Sequence, residues 1–216
     1  MANTAASDRQ EREKLRILRY SLDVFLKDGF YKTTMDELAE GLQISKKTIY
    51  KYFPSKEMLV TEAVGYLKHH IETDMTELLR QEITSIGRLK VIVEFIGRIS
   101  MNVSERTISE LQRQLPEIWN SIDEFRTRMM TKNLMEIIRL GKKEGYVKDY
   151  PEEVIITMFI SAIRGVINPT VLINNKCSFR DAVSLVFDIL ISGVMTESGK
   201  QNFTKEKKNI KYGILK

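Results

Sequence analysis

Residues 34–56 read TMDELAEGLQISKKTIYKYFPSK, and their spacing predicts two short helices around a tight turn, followed by the start of a third. Thr34 caps the first helix, and Glu37 three residues on completes a capping box. Met35, Leu38, Ala39 and Leu42 recur at helical spacing and form one apolar face. Ala39 is small enough for a second helix to cross closely. Gln43 and Ile44 make the turn, with Ile44 as an apolar plug. Ser45 is placed to cap the next helix, Lys46 to Tyr52. Only Ile49 and Phe53 turn inward there, which leaves Lys46, Lys47, Thr48, Tyr50, Lys51 and Tyr52 for the surface. Pro54 ends the helix, and Ser55-Lys56-Glu57 opens another.

That outer face is more than a soluble helix needs. Lysines neutralise phosphates, and hydroxyls donate to phosphate oxygens or read base edges. Two helices of this size around such a turn form a helix-turn-helix, with the second helix sized for the major groove of DNA. The amides opening the next helix, together with Lys56, suit a second phosphate clamp.

The run Gly29-Phe30, Thr33-Thr34-Met35, Leu38-Ala39, Ile44-Ser45-Lys46, Ile49-Tyr50-Lys51-Tyr52-Phe53 and Ser55-Lys56-Glu57 resembles the DNA-binding domain of the tetracycline-repressor (TetR) family. The resemblance spans roughly residues 10 to 60. It departs from the family at Gln43 and Lys47, where many members carry glycine. It implies DNA contacts at Thr33, Thr34, Ser45, Lys46, Lys47, Thr48, Tyr50, Lys51, Tyr52 and Lys56. It also implies a homodimer, a palindromic double-stranded operator and a small-molecule effector.

The rest of the 216 residues is read as helix throughout. Prolines number only four, β-rich stretches are missing, and apolar runs keep helical spacing. The expected class is all-α with about nine helices: a three-helix head carrying the helix-turn-helix, then a helical ligand-binding and dimerisation domain. The expected divisions are a disordered N-terminus at 1–8, the head at 9–56, the second domain at 57–198 and a basic flexible tail at 199–216. The chain carries +5 overall, of which +5 falls on residues 199–216 while 61–198 carry −2. The cations available to meet DNA are therefore the local cluster of Lys46, Lys47, Lys51 and Lys56. The single cysteine, Cys177, forms no internal disulfide, which fits a reducing cytoplasm. The first ten residues have no apolar signal-peptide core, and no membrane-spanning run follows.

In chain order, Ser7 with Gln10 is placed to cap a first helix whose stripe is Leu15, Leu18, Leu22, Phe25 and Leu26, ending at Lys27 and Gly29. A long helix follows from Ser55 to about Arg80. Further helices are expected at 84–103, from Ser104 to about Leu115, and from about Pro116 to Glu144. Pro151-Glu152-Glu153 opens the next, and Val154 to Leu172 is apolar almost all round. Ser178 and Asp181 cap the last, where Ala182 to Met195 is again apolar on most faces. Helices apolar on every side need burial on every side. Two at the end of a small domain are most simply satisfied by a second copy, through a four-helix interface of the last two helices. The tail from Gly199 is read as a solvated end, with a non-specific DNA-contacting arm as the alternative.

A pocket for a hydrophobic or amphipathic effector is implied by the resemblance. Residues suited to line it are Tyr66, His70, Phe95, Met101, Trp119, Met129, Met130 and Phe159, with Arg98, Asn102 or Arg164 as polar anchors. The same side chains would equally fill a core. No cofactor or metal is expected. Glycine-rich phosphate loops, zinc-spaced Cys/His sets and a nucleophile elbow are missing from the sequence, which argues against an enzyme. The leading expectation is a dimeric transcriptional regulator, a repressor released by its effector. The competing one is an architectural or protein-binding helical dimer.

Overall fold

The computed structural model describes residues 2–82, 84–166 and 168–207. Eleven helices run through the described residues: α1 Ala2–Asp28, α2 Met35–Leu42, α3 Lys46–Tyr52, α4 Lys56–Gln81, α5 Ser85–Met101, α6 Glu105–Gln114, α7 Pro116–Lys143, α8 Glu152–Val166, α9 Pro169–Asn174, α10 Phe179–Val194 and α11 Glu197–Lys207. Extended pairing among these residues is limited to one isolated antiparallel bridge, Val147 with Met195. The all-α class expected from spacing is the observed one.

Two helices go beyond the expected set. Asn168 and Pro169 interrupt the apolar run after α8, because proline lacks the amide a continuing helix would use. Asn168 Oδ1 instead accepts from the Thr170 amide at 2.9 Å and starts the short α9. The second addition is α11. The chain is helical from Glu197 to Lys207, where a flexible tail from Gly199 was expected. Phe203 is buried, and the Gly199 amide donates to Thr196 Oγ1 at 3.1 Å. Residues 208–216 lie outside the described residues. α1 begins at Ala2, so Ser7 lies inside the helix rather than capping it.

The chain divides into two compact units, Met1–Ile71 with Arg106–Ile122, and Glu72–Glu105 with Asp123–Lys216. The head expected at 9–56 lies within the first of these. The first unit recruits all of α4 up to Ile71, and it also takes in a segment that returns more than thirty residues later.

The core of the first unit joins Ile17, Leu22 and Phe25 of α1, Leu38 of α2, Ile49 of α3 and Leu59 of α4. Leu111 and Ile118, from the returning segment, complete it. α1 stops at Gly29, whose φ of +82° admits glycine without strain. In the second unit α8 packs on α10, and α10 and α11 pack on α5. Phe159 and Phe187 meet at the α8–α10 contact with ring centroids 5.8 Å apart. Burial of Ile155, Ile156 and Ile163 from α8 and of Val183, Val186 and Ile191 from α10 leaves their other faces open. There Val154 and Met158 are each 53% exposed, Leu185 57% and Ile189 61%.

Candidate nucleic-acid interface

The capping box at α2 forms as the spacing predicts. Thr34 Oγ1 accepts from the Glu37 amide at 3.1 Å, and Glu37 Oε2 accepts from the Thr34 amide at 2.7 Å. Gln43 closes the helix with φ +55°, so a non-glycine residue holds the left-handed position. Arg16 of α1 also binds this helix end, donating to the Leu42 carbonyl at 2.5 Å. Ser45 caps α3 by accepting from the Thr48 amide at 3.1 Å.

α3 is anchored on one side only. Ile49 and the following Phe53 are completely buried. Lys46, Lys47, Tyr50 and Lys51 are exposed on the opposite side, and Thr48 is half-buried beside its cap. Lys46 Nζ is 2.7 Å from Asp36 Oδ2 of α2. That hydrogen bond holds its ammonium above the usual lysine range, outweighing the opposing effect of burial. Lys51 lies over the ring of Tyr52, 5.0 Å from its centroid.

Three expected contact residues have hydrogen-bond partners within the protein. Thr33 is buried, and its hydroxyl donates to the Gly29 carbonyl at 2.7 Å. Tyr52 packs against the core and its hydroxyl donates to Glu13 Oε2 of α1 at 2.7 Å, which ties α3 to α1. Lys56 Nζ donates to the carbonyls of Tyr31 and Thr33 at 2.9 and 3.0 Å. Burial pushes its ammonium below the usual range, and this lysine acts as an anchor for the turn before α2. Thr34 and Ser45 stay at the surface with their hydroxyls engaged in caps. Tyr31, 61% exposed, and Lys32 beside it, also exposed, lie in the turn before α2. Their turn has no helical period, so spacing carried no signal for it.

The eleven residues expected to line a ligand pocket fall in both units. Tyr66, His70 and Trp119 belong to the first unit, the other eight to the second. Tyr66 and His70 meet edge to face, 4.1 Å between centroids, and Tyr66 Oη accepts from Arg19 Nε at 2.5 Å. Phe95, Met129 and Phe159 are buried. Met130 is half-buried, and Arg98 lies 5.7 Å from the Phe95 ring centroid. Met101 ends α5 at 54% exposure, and the exposed Asn102 caps that helix by donating to the Arg98 carbonyl at 3.0 Å. Arg164 is committed to Asp123 at 2.7 Å and to Thr127 at 3.0 Å. Burial would raise the Asp123 carboxyl, but the hydrogen bond from Arg164 and the charge of Arg126 outweigh it and hold it low. Met101 and Asn102 are thus surface groups, and Arg164 is held in an ion pair.

Among the described residues, no set of three or more His, Cys, Asp or Glu side chains is placed to hold a metal ion. No helix among them is long and apolar enough to cross a membrane.

Residues 17–63 match the family model of bacterial regulatory proteins of the tetR family. The chain is 21% identical over 185 residues to YvaF, an uncharacterized helix-turn-helix-type transcriptional regulator of Bacillus subtilis, covering 84% of this chain and 95% of that protein. It is 21% identical over 143 residues to the nucleoid occlusion factor SlmA of Pasteurella multocida, 63% of this chain and 71% of that one. Among solved structures, a TetR-family transcriptional regulator from Cytophaga hutchinsonii aligns with a TM-score of 0.64 at 21% identity, over 88% of this chain and 98% of that chain. The fatty acid degradation regulator FadR of Bacillus halodurans aligns with a TM-score of 0.60 at 17% identity, over 84% of this chain and 95% of that chain. At these identities the structural likeness speaks for the fold.

Proposed function

From a chain that belongs, through residues 17–63, to the tetR family of bacterial regulatory proteins, we propose a dimeric repressor that binds palindromic operator DNA and is released by a small effector. The observation that carries the DNA-binding part is the two-sidedness of α3. Its inner residues, Ile49 and Phe53, are fully buried, so the exposed Lys46, Lys47, Tyr50 and Lys51 are held outward on a rigid base. Cations and hydroxyls on a helix of this size fit phosphates and base edges in the major groove. Thr34 and Ser45, at the surface of the two helix starts, flank that face.

Dimerisation is supported by the open faces of α8 and α10. Val154 and Met158 are one helical turn apart, as are Leu185 and Ile189, so each helix shows an apolar stripe. A second copy covering both stripes makes the four-helix interface. Two heads on one DNA then gain affinity by effective concentration. A hydrophobic or amphipathic effector would act by binding better to the DNA-incompetent state. The buried Phe95, Met129 and Phe159 of the second unit are the aromatic and thioether groups such a ligand would displace or meet. The work is done on DNA in the cytoplasm, without cofactor or catalysis.

A second reading is favoured by one likeness, to a relative named as a nucleoid occlusion factor. In it the dimer acts on DNA architecturally, without an effector. Both readings are tested by footprinting on the DNA upstream of the chain's own gene and by mapping bound sites genome-wide. The repressor reading expects one or a few palindromic sites at promoters and affinity that falls steeply with salt. Sites scattered along the chromosome favour the architectural reading. Indifference to every duplex at low salt sinks both.

A further inference from the structure

The turn Gly29–Thr33 is held from two directions by groups distant in sequence. From α4, Lys56 binds the carbonyls of Tyr31 and Thr33. From α6, Glu110 Oε2 accepts from the Tyr31 amide at 2.8 Å. Beside it, Thr107 Oγ1 donates to the carbonyls of Phe25 and Leu26 at 2.8 and 3.0 Å, tying α6 to the end of α1. Glu110 is itself fixed: its side chain is only 11% exposed, and Oε1 accepts from Arg106 Nε at 2.7 Å. The fit at Gly29 is close, since a Cβ there would lie 2.6 Å from Glu110 Oε2.

The clamped turn carries exposed groups. Tyr31 and Lys32 both project from it. Lys56 follows the end of α3 by four residues in the chain and binds this turn directly, so the turn lies beside the C-terminal end of α3. Tyr31 and Lys32 add a phenol and an ammonium to the exposed surface of the head. Their position depends on a backbone stretch without helical hydrogen bonds, which needs outside partners to stay in one place.

We propose that Glu110 of α6 is a positioning residue for DNA binding, whose carboxylate fixes the Tyr31–Lys32 turn as a second phosphate-contacting edge beside α3. This rests on the reading of the head as a DNA binder. Glu110 touches no DNA; it acts through the Tyr31 amide. A carboxylate accepting a backbone N–H makes one of the stronger hydrogen bonds, and its loss frees the turn.

The test is a mutant cycle in the full-length protein, read by binding to sheared mixed-sequence duplex DNA at low salt. Glu110→Ala should weaken binding about tenfold in the wild-type background. In a Tyr31→Ala/Lys32→Ala background the same change should cost less than about twofold, because the clamp then positions nothing that meets DNA. Glu110→Gln, which keeps an oxygen for the Tyr31 amide, should restore most of the affinity. Faster amide exchange at Tyr31 in Glu110→Ala, with Leu38 and Ile49 still protected, supports the assignment. If Glu110→Ala fails to fold, Glu110→Asp, too short to hold the amide equally well, is put through the same cycle. Equal losses in both backgrounds would mean a merely structural group and overturn the proposal, as would a variant that binds like wild type. A wild-type protein that ignores DNA overturns the parent reading instead.

Discussion

The head and the α8–α10 pair solve the problem of apolar surface in opposite ways. In the head, each helix turns its apolar residues into one core: Ile17, Leu38, Ile49, Phe53 and Leu59 are at most 1% exposed. What remains on the outside of α3 is cationic and hydroxylic. In α8 and α10 the apolar residues exceed what one chain encloses, and Val154, Met158, Leu185 and Ile189 stay more than half exposed. The difference teaches what each surface is for. A face left charged by a finished core suits a polyanion, whereas a face left apolar by an unfinished core suits another protein surface.

The comparison breaks most decisively at its unfinished side. Leu185→Asp/Ile189→Asp puts two charges on the open face of α10 and should give a folded monomer by sedimentation. Its DNA affinity should drop about a hundredfold or more, through loss of the second head. A double variant that remains dimeric would show that copies pair elsewhere. Gly199→Ala is the next largest. A Cβ at that position would lie 2.2 Å from the Tyr146 carbonyl oxygen, which is backbone and cannot swing aside. We expect a loss of about 2 kcal/mol in urea denaturation, against little change if α11 is dispensable.

The finished side is tested by smaller steps. Lys47→Ala should weaken DNA binding several-fold and lower the salt slope by about one, with the melting temperature unchanged. An unaltered slope would remove Lys47 from the phosphate contacts. Gln43→Gly relieves the left-handed strain at φ +55° and should stabilise the head by about 1 kcal/mol. A destabilised variant would mean that the glutamine side chain is worth more than the strain it tolerates.

Much of the head was legible because its signals are local. Thr34, Glu37, Ser45, Pro54 and Ser55 mark starts and stops within one or two turns of where they act, and period alone separates Ile49 from Lys47 and Tyr50. Tyr52 has a partner that local spacing does not show. Its register places it at the margin of the face, and α1 brings Glu13 within 2.7 Å of its hydroxyl. The partners of Thr33 and Lys56 are likewise invisible to spacing, being carbonyls of a turn that has no period.

By itself, the sequence determined the all-helical class, the caps and turn of the helix-turn-helix, the outward cations of α3 and the excess of apolar surface in the last long helices. These follow from residue type and from spacing inside a single helix. The tertiary structure alone decided that residues 106–122 join the head, that Glu110 reaches back 79 positions to the Tyr31 amide, and that the chain past Gly199 continues as a packed helix. Each of these depends on which surfaces meet across long separations, and no local period encodes that.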